Sequence, residues 1–291
     1  MAIWQTARFR IDLACPRVMG IVNVTPDSFS DGGRLGDASA ALAHCERLVA
    51  EGVDILDIGG ESTRPGAAAV PADEELRRVL PVLRGALAFG VPLSIDTLKP
   101  DVMRAALDTG ADIVNDVDAL RRPGALEAVA SHPRAGVCLM HMHGAPATMQ
   151  ARPPEYVDVV AEVAAFLAGR CAAAQAAGIA AERIVVDPGI GFGKTVEHNL
   201  ELLRRQHELL ALGRPLLVGW SRKSTLGVLT GRPVDERVAA SVAAALAAVQ
   251  RGAAIVRVHD VAATVDALKV WGAAGLGPAG TIAAPPGATP R

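Results

Sequence analysis

The stretch VMGIVNVTPDSFSDGG, residues 18–33, begins as a run of apolar residues and then changes to a polar loop. Runs that are apolar at successive positions are typical of strands buried on both faces, as in a parallel sheet. Similar runs recur along the chain. We therefore predict strands at 18–24, 53–59, 91–96, 111–116, 136–141, 183–189, 215–219 and 253–260.

Segments with helical periodicity lie between these runs. Two examples are DASAALAHCERLVAEG and YVDVVAEVAAFLAGRCAAAQAAG, and both end in Gly, a common helix stop. Eight strand–helix units in 291 residues match a single-domain α/β fold, the (β/α)8 TIM barrel. A doubly wound open sheet is the alternative, but no G-x-G-x-x-G motif follows the first strand.

The two ends of the chain differ from the barrel pattern. Residues 1–17 precede the first barrel strand, and we expect them to cap the bottom of the barrel. The barrel itself is predicted for 18–272. Residues 273–291 are rich in Gly, Ala and Pro and contain little to bury, so we expect a disordered tail.

Composition excludes several classes of partner. A formal net charge of −2 gives no electrostatic reason to expect nucleic acid or an anionic membrane. The four cysteines are widely separated and form no metal-binding pattern, which favours reduced thiols in a cytoplasmic protein. Arg8, Arg10 and Asp12 interrupt any signal peptide, and no apolar run reaches about 18 residues.

Polar side chains follow the predicted strands at their carboxyl ends, where barrels of this kind build their active sites. Each has a structural alternative: Asp96 as a helix cap, Asp187 as a turn residue, His259 as a buried core histidine. Together they favour a functional site. They are Asn23, Asp57, Asp96, Asn115, His141, Asp187, Ser221, Lys223, Arg257 and His259.

Two predicted loops are longer than a strand-to-helix turn requires: the one that opens with TPDSFSDGG, and GGESTRPGAAAV after the second strand. We hypothesise that they close over a substrate. Asn23 and Asp31 offer oxygen ligands to Mg²⁺, whereas Thr63 and Arg64 offer hydrogen-bond donors to phosphate.

These residues divide into two chemical groups. Asp96, Asn115 and Asp187 suit a heterocycle rich in N–H donors. Arg64, Arg257 and His259, with a metal near Asn23, suit a polyphosphate. A heterocycle joined to a diphosphate is the simplest ligand that satisfies both.

The motifs resemble those of the dihydropteroate synthase family of folate biosynthesis. MGIVNVTPDSFSDGG, DIGGESTRPGA, SIDT, VNDV, LMHMHG, VVDPGIGFGK, SRKS and RVHDV occur in the order of the family, over residues 18–270. The resemblance implies a (β/α)8 barrel and a Mg²⁺-dependent, homodimeric transferase. Its reaction would join 6-hydroxymethyl-7,8-dihydropterin diphosphate to p-aminobenzoate, giving 7,8-dihydropteroate and pyrophosphate.

The resemblance also implies roles for particular residues. Asp96, Asn115, Asp187 and Lys223 would bind the pterin, and Met140 and Phe192 would pack near its ring. Gly219 would also contact the substrate. Thr63, Arg64, Arg257 and His259 would contact the diphosphate. Pro26, Phe29 and Ser221 would form the arylamine pocket. Asn23, and with it Asp31, would bind Mg²⁺. The catalytic group would be Asn23, Asp31, Arg64, Lys223, Arg257 and His259.

Two positions differ from the family pattern: His143 in HMHG, and Trp220 before SRKS. Neither carries a chemical role, so we expect the same reaction with an altered pocket rim. Two other functions compete with the synthase. One is a methyltetrahydrofolate- or pterin-binding module without synthase activity, which would not need ESTRPG and RVHD. The other is an aldolase-type barrel that uses Lys223 as a Schiff-base nucleophile.

Overall fold

The computed structural model describes residues 3–25, 33–62, 67, 69–144 and 155–276, with only the backbone for 33–37. The strands are β1 Ile3–Gln5, β2 Arg10–Asp12, β3 Arg17–Asn23, β4 Ile55–Gly59, β5 Leu93–Asp96, β6 Ile113–Asp116, β7 Gly136–Met140, β8 Ile184–Asp187, β9 Leu216–Val218 and β10 Ala253–Val258. The α-helices are α1 Gly33–Ala50, α2 Ala72–Ala86, α3 Pro100–Thr109, α4 Ala125–Ala130, α5 Val159–Ala176, α6 Val196–Arg204, α7 Ser224–Thr230, α8 Val238–Gln250 and α9 Val261–Ala273. Short 3-10 helices lie at Leu87–Phe89, Ala181–Arg183, Gln206–Leu212 and Val234–Glu236.

Strands β3 to β10 form a closed parallel barrel in sequence order, with β10 returning to pair with β3. Helices follow every strand of the ring, which confirms the predicted (β/α)8 fold. The strands are buried almost throughout, and β4 to β9 are buried at every position. Because both faces of these strands are covered, the runs are apolar rather than alternating.

Several strands begin later than the apolar runs do. The run predicted as a strand from residue 53 forms a strand only from Ile55. Val53 is buried, but its amide donates to the carbonyl of Leu48 in α1 and therefore belongs to the turn. Gly52, with φ 91°, reverses the chain there. Apolar character thus reports burial, and the hydrogen-bond ladder starts two residues later.

Local sequence signals account for the ends of the helices. α3 begins with Pro100, whose missing N–H costs nothing in the first turn, and ends before Gly110 at φ 116°. At the start of α5, the Asp158 carboxylate accepts hydrogen bonds from the amides of Val160 and Ala161. Thr195 and His198 form a reciprocal capping box at the start of α6.

An antiparallel hairpin, β1 paired with β2, covers the N-terminal end of the barrel. Its Trp4 is fully buried, and the indole N–H donates to the carbonyl of Arg183 at 2.9 Å. The ring packs into an apolar cluster drawn from the barrel interior and the hairpin: Ile11, Leu13, Met19, Ile55, Ile113, Cys138, Val185, Leu217 and Ile255. The opposite, carboxyl end of the strands carries the polar residues.

Two observations bear on the predictions about membrane spans and disulfides. Within the described residues, α5 is long and apolar enough to cross a bilayer by length and composition, but it is an outer helix of the barrel. All four cysteines are free thiols, and three of them are buried. Within the predicted tail, residues from 277 onward lie outside the described part of the chain.

Candidate active site

The strand register places the polar side chains at one end of the barrel. Asp96 of β5 lies beside Asn115 of β6, and Met140 of β7 lies beside Asp187 of β8. Asn23, the last residue of β3, lies beside Gly59 of β4. Parallel strands bring their carboxyl ends to the same edge, so residues remote in sequence become neighbours.

Arg257 joins two of these strands. Its Nε donates to Oδ2 of Asp57 and its Nη2 donates to Oδ2 of Asp96, each at 2.6 Å. The amide nitrogen of Asn115 donates to the same Oδ2 of Asp57 at 3.0 Å. The remaining Oδ1 atoms of Asp57 and Asp96 are buried and have no hydrogen-bond partner among the described residues. They can accept hydrogen bonds from the N–H groups of a ligand or from water.

The charges of this group are set by burial. Burial, together with the nearby Asp57 carboxylate, raises the pKa of Asp96 to about 7 against the opposing effect of Arg257. Burial also works to lower the pKa of Arg257, but Asp57 and Asp96 outweigh it and raise that pKa above its usual range. The guanidinium therefore stays charged between its two carboxylates.

Asp187, at the end of β8, provides a third buried acid at this end of the barrel. Its Oδ1 accepts the amide of Gly189 at 2.7 Å, so it also sets the turn that follows β8. Burial raises its pKa to about 6. Gly189 has φ 68°, and a Cβ there would lie 1.9 Å from the carbonyl oxygen of His141, so only glycine fits.

Lys223 and Phe192 form the apolar side of the pocket. The Lys223 Nζ lies 4.2 Å from the centroid of the Phe192 ring, in cation–π range. Burial, and then Arg257, lower the pKa of Lys223 to about 8. Phe192 belongs to a small buried cluster that would suit the face of a flat ring: Leu98, Val117, Met140, Met142 and Phe192.

Hydrogen bonds connect the turn after β9 to the residues that follow β10. The Ser221 hydroxyl lies 3.0 Å from Nδ1 of His259 and accepts the His259 amide at 3.1 Å. Arg222 has a left-handed backbone, with φ 59°, and its guanidinium makes two hydrogen bonds to Asp260. These contacts fix the backbone on both sides of the β9–β10 pair at the carboxyl end of the barrel.

A buried lysine braces the neighbouring loops. The Nζ of Lys194 lies 2.9 Å from Nδ1 of His141 and donates to the carbonyl of Gly189 at 2.9 Å and to that of Phe192 at 3.2 Å. Burial lowers the pKa of Lys194 to about 7 and, with Lys194 itself, that of His141 to about 3. Neutral His141 can thus accept a hydrogen bond from the Lys194 side chain.

The predicted site residues fall into two groups. Those that the structure brings to the carboxyl end of the barrel are Asn23, Asp96, Asn115, Met140, Asp187, Phe192, Gly219, Ser221, Lys223, Arg257 and His259. Those that lie outside the described residues are Pro26, Phe29, Asp31, Thr63 and Arg64. Of the two departures from the family pattern, Trp220 is buried and His143 is exposed.

Three residues gain importance only in the structure. Asp57 was one of the strand-end polar residues but had no role, and it proves to be the common partner of Arg257 and Asn115. Lys194 is the last residue of the VVDPGIGFGK motif, which was the only signal for it. Asp260 follows RVH and holds Arg222.

A magnesium ion needs few protein ligands. Within the described residues, no cluster of three His, Cys, Asp or Glu side chains is arranged to hold a metal ion. Mg²⁺ usually keeps several waters and binds one or two protein oxygens together with substrate phosphates. The amide oxygen of half-buried Asn23, at the end of β3, fits that requirement.

The fold and this site define a class: a TIM-barrel enzyme with buried acids and an amide at the carboxyl end of its strands, beside a small apolar cluster and cations. The family model described as pterin binding enzyme matches residues 19–259. Dihydropteroate synthase of Neisseria meningitidis serogroup B is 57% identical over 280 residues, 94% of this chain and 98% of the relative. That of Escherichia coli K12 is 50% identical, over 89% of this chain and 92% of the relative.

A solved structure agrees. Xanthomonas albilineans dihydropteroate synthase with 4-aminobenzoic acid is 55% identical, with a TM-score of 0.89 over 98% of this chain and 99% of that one. The chain therefore belongs to the dihydropteroate synthase family. It is a pterin-binding transferase of folate biosynthesis, and a binding module without synthase activity is not favoured.

Proposed function

We propose that this enzyme joins 6-hydroxymethyl-7,8-dihydropterin diphosphate to p-aminobenzoate, with release of pyrophosphate. The observation that carries the proposal is Arg257, a cation clamped between Asp57 and Asp96 at the boundary between the acidic pocket and the basic residues. The structure of the Burkholderia cenocepacia relative, complexed with 7,8-dihydropteroate and 55% identical over 94% of this chain, supports the product.

The pterin half of the substrate is assigned to the acidic pocket. Asp96 and Asp187 would accept hydrogen bonds from pterin N–H groups, and Asn115 would add an amide. Carboxylates suit this role because charge-assisted hydrogen bonds are about twice as strong as neutral ones. Phe192, Met140 and Lys223 would cover the ring faces and edge, since they line the same buried cluster or contact it.

The diphosphate half is assigned to the cations. Arg257 lies in β10, and His259 directly follows that strand and is held by Ser221. Thr63 and Arg64 of the second loop complete the proposed group. Positive groups placed around a leaving diphosphate stabilise the negative charge that develops there.

Mg²⁺ is proposed as the cofactor, held by Asn23 together with Asp31. It would neutralise charge on the diphosphate oxygens. Asn23→Ala is then expected to lower kcat in a way that added Mg²⁺ partly restores, with unchanged affinity for a free pterin. A kcat that is equally low at every Mg²⁺ concentration would contradict the assignment.

The substitution is proposed to be dissociative, like an SN1 reaction. The C–O bond to the diphosphate breaks, its electron pair leaves with the diphosphate, and the pterin nitrogens share the positive charge left on the methylene carbon. The arylamine nitrogen then bonds to that carbon and loses a proton. Carboxylates at Asp96 and Asp187 favour this cation electrostatically. Deuterium at the methylene carbon tests it: a clear normal secondary isotope effect is expected, and a value near unity would contradict it.

The arylamine is assigned to Pro26, Phe29 and Ser221. Phe29→Ala should raise the KM for p-aminobenzoate more than the KM for the pterin diphosphate, because an aromatic wall supplies apolar contact. The structure of Thermus thermophilus dihydropteroate synthase in complex with 4-aminobenzoate, 47% identical to this chain, supports an arylamine substrate.

One assay tests the reaction as a whole. Pyrophosphate release is measured from the pterin diphosphate, with and without p-aminobenzoate and Mg²⁺, while chromatography follows dihydropteroate. Release that depends on both, with an equal amount of dihydropteroate, is expected. Release without that product would overturn the proposal. An aldolase-type reaction would instead leave a Lys223 adduct that borohydride traps.

A homodimer in the cytoplasm is proposed as the working form. Exposed apolar side chains lie on α7 and α9, among them Val228, Leu229 and Val270, and a dimer contact would bury such side chains. The free cysteines support a reducing compartment. Sedimentation should give a dimer that Val270→Glu weakens, and a monomer at micromolar concentration would contradict it.

A further inference from the structure

Asp57 lies at the centre of the site without a role of its own. It is fully buried in the middle of β4, and its Oδ2 accepts two hydrogen bonds. One comes from Arg257, 200 residues later in the chain, and the other from the amide nitrogen of Asn115. Asp57 is therefore the common support of one pterin residue and one diphosphate residue.

The chemistry of a carboxylate decides how Asn115 is oriented. An ionised carboxylate only accepts hydrogen bonds, whereas an amide has a donor side and an acceptor side. Asn115 must therefore turn its NH2 group toward Asp57, at 3.0 Å. Its carbonyl oxygen is then the side of the amide that remains for a ligand. Asn115 is itself buried, so the wrong orientation would leave a polar group unsatisfied.

Asp57 also fixes the plane of the Arg257 guanidinium. The guanidinium is rigid and planar, and two contacts at different nitrogens set its orientation. Nε meets Asp57 and Nη2 meets Asp96. Without Asp57, Arg257 would keep one carboxylate partner and could rotate about it.

We propose that Asp57 is a positioning residue that acts through Asn115 and Arg257, so that the pocket presents a carbonyl acceptor to the pterin and a fixed cation to the diphosphate. The proposal rests on the proposed function, because it concerns the same two halves of the substrate. It makes the site selective for a heterocycle that donates an N–H group toward Asn115.

The test is Asp57→Asn, which keeps the shape but can offer either a donor or an acceptor. Calorimetry measures the dissociation constants of two separate probes, 6-hydroxymethylpterin and pyrophosphate with Mg²⁺. Both should weaken, about tenfold to a hundredfold for the pterin, since loss of a hydrogen bond to a charged group has an effect of this size. Asn115→Ala should weaken only the pterin, and Arg257→Ala mainly pyrophosphate.

A double-mutant cycle separates positioning from simple damage to the fold. In the Asn115→Ala background, Asp57→Asn should weaken pterin binding much less than in the wild-type protein, because residues that act through one another are not additive. The matched control is Asp112→Asn. Asp112 is another fully buried carboxylate paired with an arginine, Arg8, but it lies at the opposite end of the barrel.

The outcomes are distinct. Non-additive pterin losses, together with unchanged ligand binding in Asp112→Asn, support the proposal. Fully additive losses, unchanged binding in Asp57→Asn, or equal weakening by Asp112→Asn would overturn it. If Asp57→Asn does not fold, Asp57→Ser enters the same cycle. Failure of the wild-type protein to bind the pterin at all would count against the proposed function instead.

Discussion

The Nζ atom of Lys194 lies 2.9 Å from Nδ1 of His141, so a buried cation ties the loop after β8 to the end of β7. The same ammonium group donates to the carbonyls of Gly189 and Phe192. Asp187 and Phe192, which we assign to the pterin, both lie on the strand and loop that it braces. We therefore expect the geometry of the proposed pterin pocket to depend on Lys194, a residue to which we assign no contact with the substrate.

Lys194→Met is expected to lower the free energy of unfolding by about 1–3 kcal/mol, because it leaves buried carbonyls without donors. It should also weaken pterin binding about tenfold, since loss of the brace releases the loop after β8. Denaturant titration and calorimetry measure the two effects.

The control for Lys194 is Arg183→Met. Arg183 is also a buried cation bound to backbone carbonyls, those of Ala135, Val129 and His132, but at the N-terminal end of the barrel. It should destabilise the fold and leave pterin affinity unchanged. Equal pterin affinity in Lys194→Met and Arg183→Met would contradict the hypothesis that Lys194 positions the loop after β8.

Pterin affinity should fall as the pH is lowered through 7 and 6. Burial raises the pKa of Asp96 to about 7 and that of Asp187 to about 6, and the charged forms are the better acceptors. Each group that must lose its proton contributes up to about a tenfold loss per pH unit below its pKa. In Asp187→Asn, pterin affinity should depend less steeply on pH, with only the contribution of Asp96 left. An unchanged pH dependence would contradict the assignment of Asp187 to the pterin.

The same shifts have the opposite sign for stability. In the unfolded chain both groups titrate near pH 4, so between pH 4 and 6–7 the folded state binds more protons. Their contribution therefore destabilises the fold as the pH rises through this window. Asp187→Asn should flatten this part of the curve of unfolding free energy against pH, and a steeper dependence would count against it.

Ser221→Ala tests two assignments at once. In the structure the hydroxyl is bound to His259, so its loss should weaken pyrophosphate binding several-fold by freeing the imidazole. The KM for p-aminobenzoate should rise only if Ser221 also contacts the arylamine, as the family resemblance implies. Ser224, exposed in the first turn of α7, provides the control substitution. Unchanged affinity for both ligands would remove Ser221 from the site.

Trp4→Ala should destabilise the protein by about 3–5 kcal/mol, the usual range for deleting a buried tryptophan. Trp4 fills the N-terminal end of the barrel, far along the strands from the polar residues. Pterin affinity measured where the variant remains folded should equal that of the wild type. Trp4→Phe, which loses the bond to the Arg183 carbonyl but keeps most of the bulk, should have a smaller effect. Loss of pterin affinity in a folded variant would show that the two ends are coupled.

The barrel and much of its site were predictable from the sequence. Regular alternation of buried strands with helices specifies the fold, and parallel strands bring their last residues to one end of the barrel, so the sequence predicts Asp96, Asn115 and Asp187 at that end. The hydrogen-bond partners of these residues were not predictable from the sequence. Asp57 and Arg257 are 200 residues apart, and nothing local marks them as a pair.

Two further features had no sequence signal of their own. A left-handed backbone usually occurs at glycine, but Arg222 adopts one here. Asp260 binds its guanidinium, and the Ser241 hydroxyl accepts a hydrogen bond from its backbone amide. Lysine is normally an exposed residue, so the burial of Lys194 was not expected from composition. In both cases the tertiary contacts override the local preference.

The pairing of β10 with β3 has a consequence for protein synthesis. A ribosome makes Asp57 and Asp96 early, but their shared cation, Arg257, emerges only with the last strand of the ring. Until then, a nascent chain that packed these carboxylates in its interior would hold them without their cation, at a cost of several kcal/mol per ion. A chain that ends before β10 lacks both Arg257 and the strand that closes the ring against β3, so we expect it to be inactive. Completion of the ring thus supplies the cation that the two buried carboxylates share, and with it the last residue needed to form the pocket.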